Sequence, residues 1–471
     1  MKNIINKILV FGGILSMIFF ISCSDNLPSN VDSTDEVVLK SIKILNAGID
    51  GKTVLEGIID ENTKTVKFPR IDPRTDVSAI RFEAEMSNGA KLDKETYPFV
   101  FEENKDRKEI IIKVINGSRF REYAVTLRLN IPVFGADWEK AMYYDYSGND
   151  LGNPTYETFK SSLTRGSGFD GEYVLIVTRA TGGSHLLKVE DLKKNVINPI
   201  PLNLKGVAGG TFPVNVGSKH KGHTLIANLS GKYGMKIYHW GEDPNAESTL
   251  IFNDDPVNYP GMGIRHGDNM SSNLDENGNG YIFFADNKAT EITRFTVSNF
   301  TKITEVKVLP IQKGITMGMS MNRVEKTDDY LQTSFYAPIY VVNKDGGLLY
   351  TLSDDTTPNL QGSDARIFTF NGERYLMMTT APRMSGSAVL YIYDITKGAN
   401  TVEALQLFEK GDKKPLLQYS IGGGVNTSPS TQTGYYITKN EKGEDVSLML
   451  YTASNDAGFA LIEVPKKSLE D

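Results

Sequence analysis

The chain has few of the residues that usually carry recognisable chemistry: one cysteine, two tryptophans and five histidines among 471 residues. A single cysteine excludes an intrachain disulfide and a thiolate metal cluster. Because that cysteine is Cys23, close to the N-terminus, a catalytic thiol in the body of the protein is excluded as well. There is no basic surplus either. With 51 Lys and Arg against 58 Asp and Glu, a net charge of −7 and a pI near 5.5, the composition does not support a nucleic-acid partner bound through a basic face. Helical periodicity is almost absent beyond the N-terminus. No nucleophile elbow, zinc-protease helix or sialidase-type aspartate box is recognisable, so no enzyme class is indicated and no cofactor or metal is expected.

What is present begins with a targeting segment. Lys2 and Lys7 precede an apolar run from Ile8 to Ile21, which leads through Ser22 into Cys23. As a helix this run rises about 21 Å, short of the roughly 20 residues a bilayer span needs, so it reads as a removed signal peptide over 1–22. Phe20-Ile21-Ser22-Cys23 resembles a bacterial lipobox, which implies that Cys23 is lipidated and anchors the chain to a membrane. The polar segment 23–37, with Asp25, Asp32, Asp35 and Glu36, cannot build a core and reads as an acidic flexible tether.

Residues 38–131 are expected to form a small all-β sandwich of the immunoglobulin-like type. Strands are expected at Ser41–Leu45, Thr65–Phe68, Ala79–Ala84, Glu109–Ile115 and Tyr123–Leu129, separated by Asp50-Gly51, Asn88-Gly89 and Asn116-Gly117 turns. Ile131-Pro132 is the expected boundary, since proline interrupts strand pairing.

From 132 to 471 a hairpin unit recurs about every 50 residues, typified by DENGNGYIFFADNKATEITRFTV at Asp275–Val297. The expected apolar strands are Tyr173–Thr178, Thr224–Asn228, Tyr281–Ala285, Pro338–Val342, Tyr375–Thr379 and Ser447–Tyr451. Each is followed by an alternating strand, and short polar-apolar segments around Asn215, Asn273, Asn322, Arg366 and Asn426 precede several of them. Short strands in six units predict an all-β fold with a β-propeller of six blades, or seven if Ala141–Tyr146 pairs with the C-terminal strands, near Leu461–Val464, as part of a further one.

The hairpin ending NGSRFREYAVTLRL, together with VNVGSKHKGHTLIANLS (214–230) and HGDNMSSNLDENGNGYIFFAD (266–286), resembles surface lipoproteins of the Bacteroidota type. These combine an Ig-like module with a C-terminal propeller of an uncharacterised family, classed as a domain of unknown function. The resemblance implies an Ig-like spacer and an outer-membrane, lipid-anchored location, facing either the cell surface or the periplasm. It also implies an association with polysaccharide capture.

Three constellations invite a chemical reading. Asp275 to Asp286 matches most of a calcium-binding EF-hand loop, but a strand over Tyr281–Asp286 would carry Asp286 about 20 Å from Gly280, so a hairpin turn is expected instead. His220 and His223 lack a third metal ligand and are expected in an exposed turn. The recurring Asn215, Asn273, Asn322 and Asn426, with His266, Asp268, Arg323 and Arg366 at related positions, are expected near the inner strands. There they either line a ligand site at the channel mouth or bond neighbouring blades to one another. The functional expectation is a lipid-anchored envelope protein whose propeller binds a ligand, a glycan or glycoconjugate, at that mouth. The alternatives are a propeller glycoside hydrolase or lyase and a scaffold for envelope proteins. Paired carboxylates across a cleft would mark the first, and an exposed apolar patch the second.

Overall fold

The computed structural model describes residues 36–102, 105–149, 156–208, 210, 212–353, 356–358, 362–380, 386–423 and 430–469. The expected signal peptide over 1–22, Cys23 and Asn426 lie outside these residues. The chain divides into two compact units, Met1–Pro132 and Val133–Asp471.

The first unit holds two antiparallel-rich sheets. One has three strands, in the order Thr53–Glu56, Leu39–Ala47, Phe82–Met86. The other has five, in the order Ile58–Asp60, Thr65–Lys67, Arg119–Arg128, Arg107–Asn116, Lys91–Leu92. Alternation puts Ile42, Ile44, Val66, Ile112, Val114 and Val125 on the inner faces, where they form one core. Thr65–Lys67 pairs parallel to Ala124–Thr126, while the Arg107–Asn116 and Arg119–Arg128 hairpin is antiparallel. The expected strand at Ala79–Ala84 starts later, at Phe82. Asp76 accepts from the Ser78 N–H at 3.1 Å and winds Val77–Ala79 into a 3-10 turn.

The second unit contains six four-stranded antiparallel sheets, each built from strands taken in chain order except the last. Their first strands are Thr164–Phe169, Val216–His220, Ser271–Leu274, Ser320–Arg323, Gly362–Phe370 and Thr431–Lys439. Each first strand lies against the first strand of the next sheet, and the sixth lies against the first. Apolar clusters fill each of the six spaces between neighbouring sheets. The last joins Tyr451, Phe459 and Leu461 of the sixth sheet to Val174, Ile176 and Leu187 of the first. The result is a propeller-like ring of six sheets. Glycine sets how closely the strands approach at one seam: a Cβ on Gly166 would lie 2.5 Å from the Val216 Cα, and one on Gly168 would lie 2.6 Å from the Lys219 backbone nitrogen.

Met142–Ser147 forms the fourth strand of the sixth sheet, antiparallel to Gly458–Pro465, with Ser147 opposite Gly458 and Met142 opposite Glu463. This segment therefore completes the sixth sheet, and no seventh sheet occurs among the described residues of this unit. The fourth sheet also differs from expectation. Pro338–Val342 was expected as its apolar strand next to the innermost one, but Asp329–Thr333 holds that place and Tyr340–Asn343 comes third. The sequence Asp329-Tyr330-Leu331-Gln332-Thr333 hides a buried strand because it lacks a continuous apolar run. A helix of nine residues, Thr401–Glu409, is inserted between the third and fourth strands of the fifth sheet. The Asn400 side chain caps it, and it buries Ala404, Leu405 and Phe408.

Candidate functional site

The hydrogen bonds between first strands show that they run in the same direction. Asn215 reaches Gly267 and His220 reaches Ser272, both 52 positions ahead. Asn269 reaches Met319, Ser271 bonds Met321 and Asn273 bonds Arg323, all 50 positions ahead. A constant offset requires parallel neighbours. All six first strands therefore begin at one mouth of the axis, here the N-terminal mouth. Because strands alternate in direction within each sheet, the loops joining second to third strands return to that same mouth.

Asparagine makes the rungs between sheets. Its amide donates to a backbone carbonyl of the next first strand or its approach in four cases: Asn215 to Gly267 at 2.5 Å, Asn269 to Met319 at 2.8 Å, Asn273 to Met321 at 2.8 Å and Asn322 to Ala365 at 3.0 Å. Asn273 also accepts from the Arg323 N–H at 2.7 Å, so one side chain both donates and accepts across the seam.

The axis holds a polar cavity of about 150 Å³ to which all six first strands contribute, among them Ser167, Ser218, Ser272, Asn322, Arg366 and Gln432. Asp364, also in its wall, is 4% exposed. It accepts from the Thr433 N–H at 2.6 Å and from the Asn322 amide, and burial pushes its carboxyl pKa above the usual carboxylate range. Arg366 donates through Nε to the Thr433 carbonyl at 3.0 Å. Burial and the positive charge of Arg366 push His220 down to about 4, so it is an uncharged imidazole at neutral pH, with Nε2 2.8 Å from Ser272 Oγ.

The N-terminal mouth gathers three arginines. Arg265 pairs with Asp268 at 2.8 Å, and Arg179 lies over the Phe212 ring at 3.6 Å with its Nε 3.1 Å from Asn215 Oδ1. Arg165, on the first strand of the first sheet, has no hydrogen-bond acceptor for its guanidinium among the described residues. Burial, then the nearby charge of Arg165, push Arg179 down to about 10. Burial also lowers Arg165, against the pull of Asp268 and Asp456. Two exposed rings lie in loops at the same mouth, Tyr233 in the second sheet and Tyr336 in the fourth, 45% and 48% exposed. Tyr336 is held at a φ of +66°.

The residues singled out in the sequence are thus distributed rather than gathered. Asn215 and Asp268 belong to the N-terminal mouth. His266 is fully buried there, with Nε2 2.6 Å from Glu291 and its backbone N–H on Ser230 Oγ at 2.7 Å, so it acts as a loop fastener. Asn322 and Arg366 line the axial cavity. Asn273 bonds neighbouring sheets, and Arg323 closes its own hairpin through Nε to the Thr327 carbonyl at 2.6 Å. Asp275 fixes a turn by accepting from Asn277 and Asn279 N–H groups. Asp286, beyond the intervening strand Gly280–Ala285, accepts from Lys288, Thr290 and Glu291 N–H groups. His220 and His223 do not sit in an exposed turn: both are half-buried strand residues paired across a hairpin, and His223 Nδ1 meets His239 Nε2 at 2.9 Å. No cluster of three metal-ligating side chains occurs among the described residues.

Sequence reading passed over Arg165, Arg179 and Arg265. A faint signal exists for Arg179, a basic residue that closes the apolar run Tyr173–Thr178 where the second strand ends at the N-terminal mouth. Arg165 and Arg265 carry no such mark, because only the ring brings residues from the first and third sheets together.

A family model described as "Domain of unknown function (DUF4623)" matches residues 25–467. The crystal structure of a DUF4623 family protein from Bacteroides eggerthii DSM 20697 is 40% identical, with a TM-score of 0.74 over 92% of this chain and 99% of that one. A protein of unknown function from Bacteroides thetaiotaomicron VPI-5482 is similar at 14% identity and a TM-score of 0.40, covering 93% of this chain and 99% of that one. BamB from Moraxella catarrhalis follows at 10% identity and a TM-score of 0.32, over 65% and 84%. No curated protein matches the chain.

Proposed function

Given that the chain belongs to the DUF4623 family, a domain of unknown function, we propose from its own geometry that it is a binding protein of the cell envelope. Its ligand is a glycan held at the N-terminal mouth of the ring. The observation that carries this reading is the pairing at one mouth of exposed rings, Tyr233 and Tyr336, with the side-chain donors of Arg165, Arg179 and Arg265. Sugar recognition uses that combination, apolar ring faces for stacking and charged or amide groups for the hydroxyls. The axial cavity, about 150 Å³, is smaller than the roughly 300 Å³ at which small-molecule sites begin, so the ligand lies across the mouth.

In the same reading Cys23 is lipidated, the chain is anchored at the outer membrane, and the first unit is an Ig-like spacer. A scaffold role is the second reading. It draws on Leu348 and Leu349, 51% and 46% exposed on the outer strand of the fourth sheet.

The deciding experiment is a binding screen of the protein against soluble polysaccharides, with product analysis of each mixture. Binding without cleavage that weakens at least tenfold in Tyr336→Ala supports the mouth as the site. Cleavage products would move the protein to the enzymes, and silence across a broad panel would move it to the scaffolds.

A further inference from the structure

Among the described residues, only one carboxylate, Asp268, accepts a hydrogen bond from the three arginines at the N-terminal mouth. Facing Arg165, Arg179 and Arg265 are Asp268 and Asp456, and both are already engaged. Asp268 Oδ1 is 2.8 Å from Arg265, and Asp456 accepts from the Ser162 N–H at 2.7 Å and the Ser162 hydroxyl at 3.0 Å. The nearby carboxylates are also taken up. Asp286 is surrounded by three backbone N–H groups, and Glu291 accepts from Gly263 N–H at 3.1 Å, His266 at 2.6 Å and Thr293 at 2.9 Å.

The arrangement is also held in place. Arg179 cannot swing away without leaving the Phe212 ring and the Asn215 carbonyl oxygen, and Asn215 is itself tied to Gly267. One buried donor at this mouth, Arg265 Nε, has no hydrogen-bond partner among the described residues. A group of guanidiniums that is partly desolvated and short of carboxylate partners among the described residues is the arrangement that binds a planar or tetrahedral oxyanion through paired N–H donors.

We propose that the mouth is an oxyanion subsite and that its ligand is an acidic glycan, bearing a uronate carboxylate or a sulfate ester held by Arg165 and Arg179, with Arg265 beside them. This inference rests on the glycan reading above and adds the chemical class of the sugar. The depressed pKa values of Arg165 and Arg179 agree with it, since an incoming anion relieves the mutual repulsion of the cluster.

The test uses the full mature chain and three probe sets: neutral polysaccharides, uronate-rich polysaccharides, and sulfated polysaccharides. Each is titrated at low and at physiological salt, with inorganic sulfate and free galacturonate as small-anion arms read by thermal shift. The expected result is binding confined to one or both acidic sets, weakened by salt and reduced at least tenfold in Arg165→Gln, with the thermal midpoint of that variant unchanged in the absence of ligand. Arg265→Gln serves as a second variant should Arg165→Gln fail to fold. Equal binding of neutral polysaccharides, unaffected by either variant, overturns the acidic class and leaves the glycan reading standing. If no polysaccharide binds but sulfate or galacturonate stabilises the parent chain and not Arg165→Gln, the oxyanion subsite stands and the glycan reading falls. No response in any arm overturns both.

Discussion

Acidification should destabilise the ring through His239, and the size of the effect follows from the structure. His239 is 6% exposed, its Nε2 is 2.9 Å from His223 Nδ1, and the His223 ring stacks on Phe300 with centroids 3.9 Å apart. Burial first, then the neighbouring His223, lower its pKa to about 4. The group is a base whose folded pKa lies below its unfolded value of about 6.5. Above that value both states are neutral and nothing is lost. As pH falls from about 6.5 towards 4 the unfolded chain takes up a proton that the folded chain refuses, so stability declines across this window. Between pH 7 and pH 4.5 the linkage amounts to about 2 kcal/mol, which for a unit of this size corresponds to about 3 °C in the unfolding midpoint. The assay is a thermal melt followed by circular dichroism at pH 7 and 4.5 for the parent and for His239→Gln, which keeps a polar partner for His223 but cannot titrate. The parent should lose about 3 °C more than the variant on acidification. Carboxylate protonation is common to both chains and cancels in the difference. Identical acid shifts would refute the claim that the fold holds this imidazole neutral.

Further outcomes follow from the seams and the N-terminus. Gly168→Ala should cost about 1–3 kcal/mol in urea unfolding, because its Cβ would lie 2.6 Å from the Lys219 backbone nitrogen, which cannot rotate aside. A cost below measurement error would mean that the seam between the first and second sheets is looser than described. Asn273→Ala should lower stability by about 1–3 kcal/mol while leaving polysaccharide affinity unchanged, since it removes bonds to Met321 and Arg323. The opposite pattern, lost affinity at full stability, would make Asn273 a ligand contact. Cys23→Ser should abolish metabolic labelling with a fatty acid and release the protein from the membrane fraction. Retained labelling would exclude the lipobox reading.

The inner strands show why part of the site was legible and part was not. Asn215, Asn273 and Asn322 stand out in the sequence because the repeat reuses them, and the repeat reuses them because each seam needs a donor for a carbonyl of the next strand. Recurrence therefore pointed to positions on or beside the inner strands but could not tell a rung outside the cavity, Asn273, from one that also lines its wall, Asn322. The arginines had no such signal. Each occurs once, on a different segment, and becomes part of a site only when the ring places Thr164–Phe169, the end of Tyr173–Thr178 and the approach to Ser271–Leu274 around one mouth.

The sequence by itself determined the all-β character, most of the hairpins and the small polar turns, because alternation and Asn-Gly or Asp-Gly chemistry act over a few residues. Tyr173–Thr178 follows its local pattern to the residue. Only the tertiary structure decided that Met142–Ser147, paired with Gly458–Pro465, completes the sixth sheet and does not build a seventh, that Asp329–Thr333 takes the second place in the fourth sheet, and that His220 and His223 are strand residues and not an exposed turn. These outcomes depend on which distant surface a segment buries. A weakly apolar strand such as Asp329–Thr333 is stabilised by the neighbours it packs between, and those neighbours are specified elsewhere in the chain.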